Sequence, residues 1–121
     1  MFRTIFAAFG ALMLILTLAA CTTTAAEPVT VSEQAIIVDV RTPEEYAAGH
    51  LEGAQLLDLN GGQLAETLPT LDPAAEYFVY CRSGSRSGQA TAMMKDAGFE
   101  NVTDLGSLTR AAEATRLPIV G

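Results

Sequence analysis

One stretch constrains this chain more than any other: Tyr77-Phe78-Val79-Tyr80-Cys81-Arg82-Ser83-Gly84-Ser85-Arg86-Ser87-Gly88, where an apolar run stops at a cysteine followed by small and basic residues. Tyr77 to Tyr80 are aromatic and β-branched types that favour a short buried strand, and Ser85 to Asp96 carry a helical pattern. The predicted order is strand, loop, helix. Cys81 then lies at the strand's carboxyl end, facing a helix amino terminus, where open α/β sheets place their ligand crevices.

That position predicts chemistry. The free amides and dipole of a helix start favour an anion, so the Cys81 thiolate is expected to be stabilised and its pKa lowered. Arg82 and Arg86 add positive charge on either side. Ser83, Gly84 and Ser85 are small enough for the loop to curl and aim its N–H groups inward as an anion-binding nest. The expectation is an exposed, nucleophilic sulfur inside a cradle for a small anion.

Upstream, Ala35 to Val40 is a continuous apolar run broken only by Asp39, as expected of a buried strand. Thr42-Pro43-Glu44-Glu45 signals a helix start: Thr42 can cap, Pro43 fits the first helical position, Glu45 completes a capping box, and Gly49 ends the helix. Asp39 and Arg41 read as a charge pair supporting the strand end and its loop, rather than as a catalytic acid and a substrate cation. A second strand is predicted over 54–59, a turn at 60–62, and a short helix over 63–68 that stops before Pro69. After the cysteine loop, Ala90, Met93, Met94 and Ala97 recur at helical spacing, the methionines as core filler. A short strand over 101–104, a helix over 108–115 and an apolar tail at 117–120 complete the domain. Strands alternating with helices predict an α/β fold, a mostly parallel central sheet flanked by helices on both faces.

The amino-terminal segment is different in kind. Residues 1–20 combine a positive start at Arg3, an apolar stretch from Ile5 to Leu18 and small residues before Cys21, the pattern of a secretory signal peptide. The alternative, an uncleaved transmembrane anchor, needs ~20 apolar residues, more than this run holds. Leu18-Ala19-Ala20-Cys21 resembles a bacterial lipobox, which implies that Cys21 is lipidated, anchors residues 21–29 as a tether to a membrane, and leaves residues 30–121 as the domain on the periplasmic side. Of the two cysteines, Cys81 is then left without a disulfide partner; without lipidation, an intermolecular disulfide is the alternative. The net charge of −7, with every acidic residue beyond position 20, argues against a nucleic-acid surface. One histidine, His50, and one free thiol are too few for a zinc site, so no metal or cofactor is expected. The surface pattern calls for no more than a monomer.

Three ordered motifs carry a family resemblance: Val-Asp-Val-Arg-Thr-Pro-Glu-Glu-Tyr at 38–46, Gly-His-Leu-Glu-Gly-Ala at 49–54, and Tyr-Cys-Arg-Ser-Gly-Ser-Arg-Ser at 80–87. In order and spacing they resemble a single-domain rhodanese over roughly residues 29–120. The resemblance implies a sulfurtransferase of the thiosulfate type, working through a Cys81 persulfide. It implies that the loop from Arg82 through Ser83, Gly84 and Ser85 to Arg86 binds an anionic donor such as thiosulfate, that the acceptor is a thiol or cyanide, and that His50 belongs to the framework. Rhodaneses commonly carry a Gly-Gly pair and a tryptophan after the next strand; this chain has Gly106-Ser107 and no tryptophan.

Two rival readings are weighed. Cysteine phosphatases need five residues between Cys and Arg, which would put the arginine at position 87, occupied here by serine. A lipid-anchored binding or sulfur-carrier module without appreciable turnover is the second, since a fold does not determine its function.

Overall fold

The computed structural model describes residues 26–121. The expected signal peptide, Cys21 and the first part of the tether lie outside the described residues. The elements run β1 (Ile36–Asp39), α1 (Pro43–Ala48), β2 (His50–Leu51), β3 (Gln55–Leu56), α2 (Gln63–Thr67), a 3-10 turn (Leu68–Thr70), β4 (Glu76–Cys81), α3 (Ser85–Asp96), β5 (Asn101–Ser107), α4 (Leu108–Thr115) and β6 (Ile119–Val120). Four parallel strands form the central sheet in the order β3-β1-β4-β5, and β2 pairs antiparallel with β6 apart from it. Among the described residues no helix is long and apolar enough to cross a membrane.

β4 is central, and from Tyr77 to Cys81 every side chain is buried. Strand alternation sends Tyr77, Val79 and Cys81 to one face, where Leu64 of α2 and Ala90 and Met94 of α3 cover them. Phe78 and Tyr80 point to the other face, packed with Leu51, Leu105 and the α4 residues Ala111 and Ala114. Both faces are therefore sealed, which is why β4 reads as an unbroken apolar run. Asp39, in register with Tyr80, turns toward the α4 face with it.

Several boundaries differ from expectation for physical reasons. The strand expected over 54–59 keeps only Gln55 and Leu56 in the ladder; beyond them the Leu57 and Leu59 N–H groups still donate to the carbonyls of Asp39 and Val40 as the chain bends away. The helix expected to stop before Pro69 tightens into a 3-10 turn that takes Pro69 in its first turn, where a missing N–H costs nothing. The apolar tail docks as β6 against β2. Residues 26–29, expected to be tether, lie against the domain: Ala26 and Val29 pack on the α4 face, and the Val29 N–H donates to the Ala114 carbonyl at 3.0 Å.

β5 runs three residues beyond its predicted end and carries a bulge. Val79 pairs with Asp104 but Tyr80 with Gly106, so Leu105 is an extra residue opposite the end of β4. The bulge brings Gly106 against the cysteine loop: a Cβ added at Gly84 would sit 3.7 Å from the Gly106 Cα. Ser107, at the departure from the Gly-Gly pair, caps α4 by accepting the Arg110 N–H at 3.2 Å.

Candidate active site

The loop after β4 turns at Gly84, whose φ of 101° is a left-handed conformation that a side chain would strain. This turn aims the Gly84 N–H at the Cys81 Sγ, at 2.9 Å. One turn into α3, Ser87 is fully buried beneath the sulfur. The Cys81 thiol donates to Ser87 Oγ at 3.5 Å, while the Ser87 hydroxyl donates to the Gly84 carbonyl at 3.1 Å. When the thiol ionises, the same hydroxyl can rotate and donate to the sulfur instead. Burial alone would push the Cys81 pKa up, but the Ser87 hydroxyl and the N–H groups of Ser87, Gly84 and Ser83 outweigh it and hold the thiol below its ordinary value.

The direction of the Cys81 pKa is thus the expected one, but the sulfur is not exposed: Cys81 has 0% of its surface accessible. The nest expected to hold an external anion closes first on the thiolate itself. Ser87, the last residue of the 80–87 motif and the position that fails the phosphatase spacing, was not expected from the sequence to hold the sulfur. Ser87→Ala is expected to move the pH dependence of Cys81 alkylation to higher pH by removing a donor that favours the thiolate; an unmoved profile would show that the backbone amides suffice.

Arg86 does not stand free. Its Nη1 and Nη2 donate to the two carboxylate oxygens of Glu45 at 2.6 and 3.0 Å. Glu45 also closes the α1 capping box with Thr42, so one carboxylate ties the start of α1 to the start of α3. The Arg86 fork, helped by Thr42 and opposed by burial, brings the Glu45 pKa from 4.5 to about 2. Because the folded pKa is depressed, this stabilisation is complete above the ordinary glutamate range and is lost as pH falls through about 2. Urea titrations between pH 5 and 2 are expected to show stability falling with acid, more gently in Glu45→Gln; identical slopes would mean that the pair adds no stability.

Behind the loop, the support expected from Asp39 and Arg41 is a closed network. Arg41 Nη2 donates to Asp39 Oδ2 at 2.7 Å, Arg41 Nε lies 3.0 Å from Oδ1, and the Arg41 backbone N–H reaches Oδ1 at 2.9 Å. The Tyr80 hydroxyl donates to Asp39 Oδ2 at 2.8 Å and accepts the Leu51 N–H at 3.0 Å. Arg41 Nη2 also reaches the Gly49 carbonyl at 2.6 Å. Burial, offset in part by the Leu51 N–H, and the Asp39 carboxylate push the Tyr80 pKa up, and the pairing with Asp39 overcomes burial to raise that of Arg41. The network joins β1, β2, β4 and the end of α1 one residue from the cysteine.

His50 lies in that framework too. Its ring stacks on Tyr46 at 3.7 Å with its Nδ1 2.8 Å from the Tyr46 carbonyl, and the hydrogen-bond partners of Cys81 Sγ are Gly84 and Ser87 instead. Ser83 and Ser85 are exposed on the loop and the first turn of α3. Arg82 is exposed and borders a cleft of about 450 Å³ with Arg41, Glu45 and Leu108. A second cleft, of about 300 Å³, is lined by Ser83, Gly84, Gly106, Ser107 and Arg110. Among the described residues no three His, Cys, Asp or Glu side chains gather as a metal site.

A small parallel α/β domain with a cysteine at the end of its central strand, cradled by a tight loop and a helix start, has the architecture of a class in which the end of the central strand carries the site. Within that class the chain is a member of the rhodanese-like domain family, whose model matches residues 25–110. It is 39% identical over 71 residues to thiosulfate sulfurtransferase GlpE of Pseudomonas entomophila (strain L48), spanning 59% of this chain and 63% of that one. It is 34% identical over 73 residues to thiosulfate sulfurtransferase PspE of Escherichia coli (strain K12), spanning 59% of this chain and 68% of that one. The match thus covers less than two thirds of the Pseudomonas relative. A solved structure described as rhodanese with anions from E. coli superposes with a TM-score of 0.62 at 31% identity, covering 71% of this chain and 96% of that one.

Proposed function

We propose that this protein is a sulfurtransferase that moves the outer sulfur of thiosulfate, or of a persulfide donor, to a thiol or cyanide through a Cys81 persulfide. The carrying observation is the Cys81 sulfur held by the Gly84 N–H and Ser87 at the end of β4, an arrangement that favours the thiolate. The names of the relatives support the same reaction class.

In the first half-reaction the Cys81 thiolate attacks the outer sulfur of thiosulfate. An S–S bond forms to Cys81, the S–S bond of thiosulfate breaks, and sulfite leaves with the bonding pair. Charge balances, since thiolate and dianion become persulfide anion and sulfite dianion. In the second, cyanide or a thiolate attacks the terminal sulfur, and the Cys81 thiolate departs with the electron pair. Loop N–H groups stabilise the charge on the persulfide, and Arg82, next to Cys81 and without an ion-pair partner among the described residues, orients the donor's oxygens. Arg86 acts through Glu45 by holding the first turn of α3 in place.

Two half-reactions sharing one covalent intermediate give ping-pong kinetics. Initial rates with thiosulfate and cyanide both varied are expected to give parallel double-reciprocal lines with thiocyanate as product. Converging lines would indicate direct transfer in a ternary complex and overturn the persulfide route.

A further inference from the structure

Of the arginines near the loop, Arg41 is bound to Asp39 and Arg86 to Glu45, which leaves Arg82 and Arg110. Among the described residues no carboxylate lies within 4.0 Å of the Arg110 guanidinium. Asp104 borders the same cleft, but its Oδ1 accepts the Gly106 N–H at 2.9 Å. Glu27 and Arg110 both line an adjoining cavity of about 460 Å³. Arg110 lies over Gly106, its Cδ 3.7 Å and its Nε 4.0 Å from where a Gly106 Cβ would be. Gly106 in turn abuts Gly84, which donates to the Cys81 sulfur. A free cation therefore stands one backbone layer from the reacting sulfur, beside a cleft whose other walls are Ser83, Gly84, Asp104, Leu105, Gly106 and Ser107.

Resting on the sulfurtransfer reading, we infer that Arg110 is a specificity-determining residue that binds the carboxylate of an anionic thiol acceptor in the Ser83–Gly106 cleft. Donor and acceptor differ in reach. In thiosulfate the reacting sulfur is bonded directly to the sulfur that bears the charged oxygens, so its charge must be held beside Cys81, within range of the loop amides and Arg82. Arg110, beyond Gly106, suits a substrate whose charge is several bonds from its reacting thiol. Such an acceptor approaches a persulfide anion in a chain of net charge −7, so an unpaired cation at the point of approach offsets a repulsion that a neutral thiol does not meet.

The test compares 3-mercaptopropionate with 2-mercaptoethanol, thiols of similar reach with and without a carboxylate, using the full-length chain in detergent and thiosulfate as donor. Arg110→Gln is expected to lower kcat/KM for 3-mercaptopropionate about tenfold, the effect of losing one charge-assisted contact. It should leave 2-mercaptoethanol and the rate of Cys81 sulfur loading unchanged, and Arg110→Lys should retain the preference. Equal loss with both thiols, no loss with either, or slower loading by thiosulfate would overturn the assignment. No sulfur loading of Cys81 in the unsubstituted chain would instead overturn the sulfurtransfer reading, and this inference with it.

Discussion

Cys81→Ser is expected to lower thiocyanate formation from thiosulfate and cyanide by on the order of 10³-fold or more, because it removes the only nucleophile in the loop. The serine hydroxyl is close in size to the thiol and still offers the Gly84 N–H an acceptor, so the fold is expected to survive. Its oxygen, however, stays protonated at neutral pH and is a far weaker nucleophile toward sulfur. The contrast with Ser87→Ala is informative: that change moves the ionisation of Cys81 but leaves the attacking atom in place, so its activity loss should be much smaller near neutrality and should shrink as pH rises. Thiocyanate assays on both variants, with circular dichroism to confirm folding, check the ordering. A Cys81→Ser protein retaining a tenth or more of the activity would remove the covalent route.

The second large effect concerns stability. Asp39 is fully buried and accepts from the Arg41 side chain, the Arg41 backbone and the Tyr80 hydroxyl at once. Asp39→Ala leaves a buried guanidinium with the Gly49 carbonyl as its remaining partner and orphans the Tyr80 hydroxyl as a donor. Removing one member of a buried ion pair costs about 3–5 kcal/mol. Against a typical domain stability of about 5–15 kcal/mol, that is enough to leave much of the protein unfolded near its melting range. Asp39→Asn, which keeps an acceptor and the shape, is expected to cost less. Urea unfolding of the three proteins checks this; a loss below about 1 kcal/mol in Asp39→Ala would mean that water replaces the carboxylate readily.

Where sequence and structure agree, local signals were strong. Ser85–Asp96 and Leu108–Thr115 form helices at the predicted bounds, since the Gly84 turn sets the first and the Ser107 cap the second. Thr42, Pro43 and Glu45 build their predicted capping box, because its partners are three residues apart. Long-range pairings left no such mark. Glu45 and Arg86 are 41 residues apart, and nothing in their local patterns says that the capping carboxylate also clamps the loop arginine. β2 and β6 are two residues each, too short to show a period. The burial of Cys81 follows from the backbone turn at Gly84 and the bulge at Leu105, which close the loop over the sulfur, and a cysteine before small residues reads the same whether that loop is open or closed.

The most direct test of the central claim is the intact mass of the reduced protein after exposure to thiosulfate, with Cys81→Ser alongside. The account predicts a species heavier by one sulfur atom, absent in the variant, that returns to the starting mass on adding cyanide as thiocyanate appears. No gain in mass with thiosulfate or a persulfide donor, in folded protein whose Cys81 thiol is free, would contradict it.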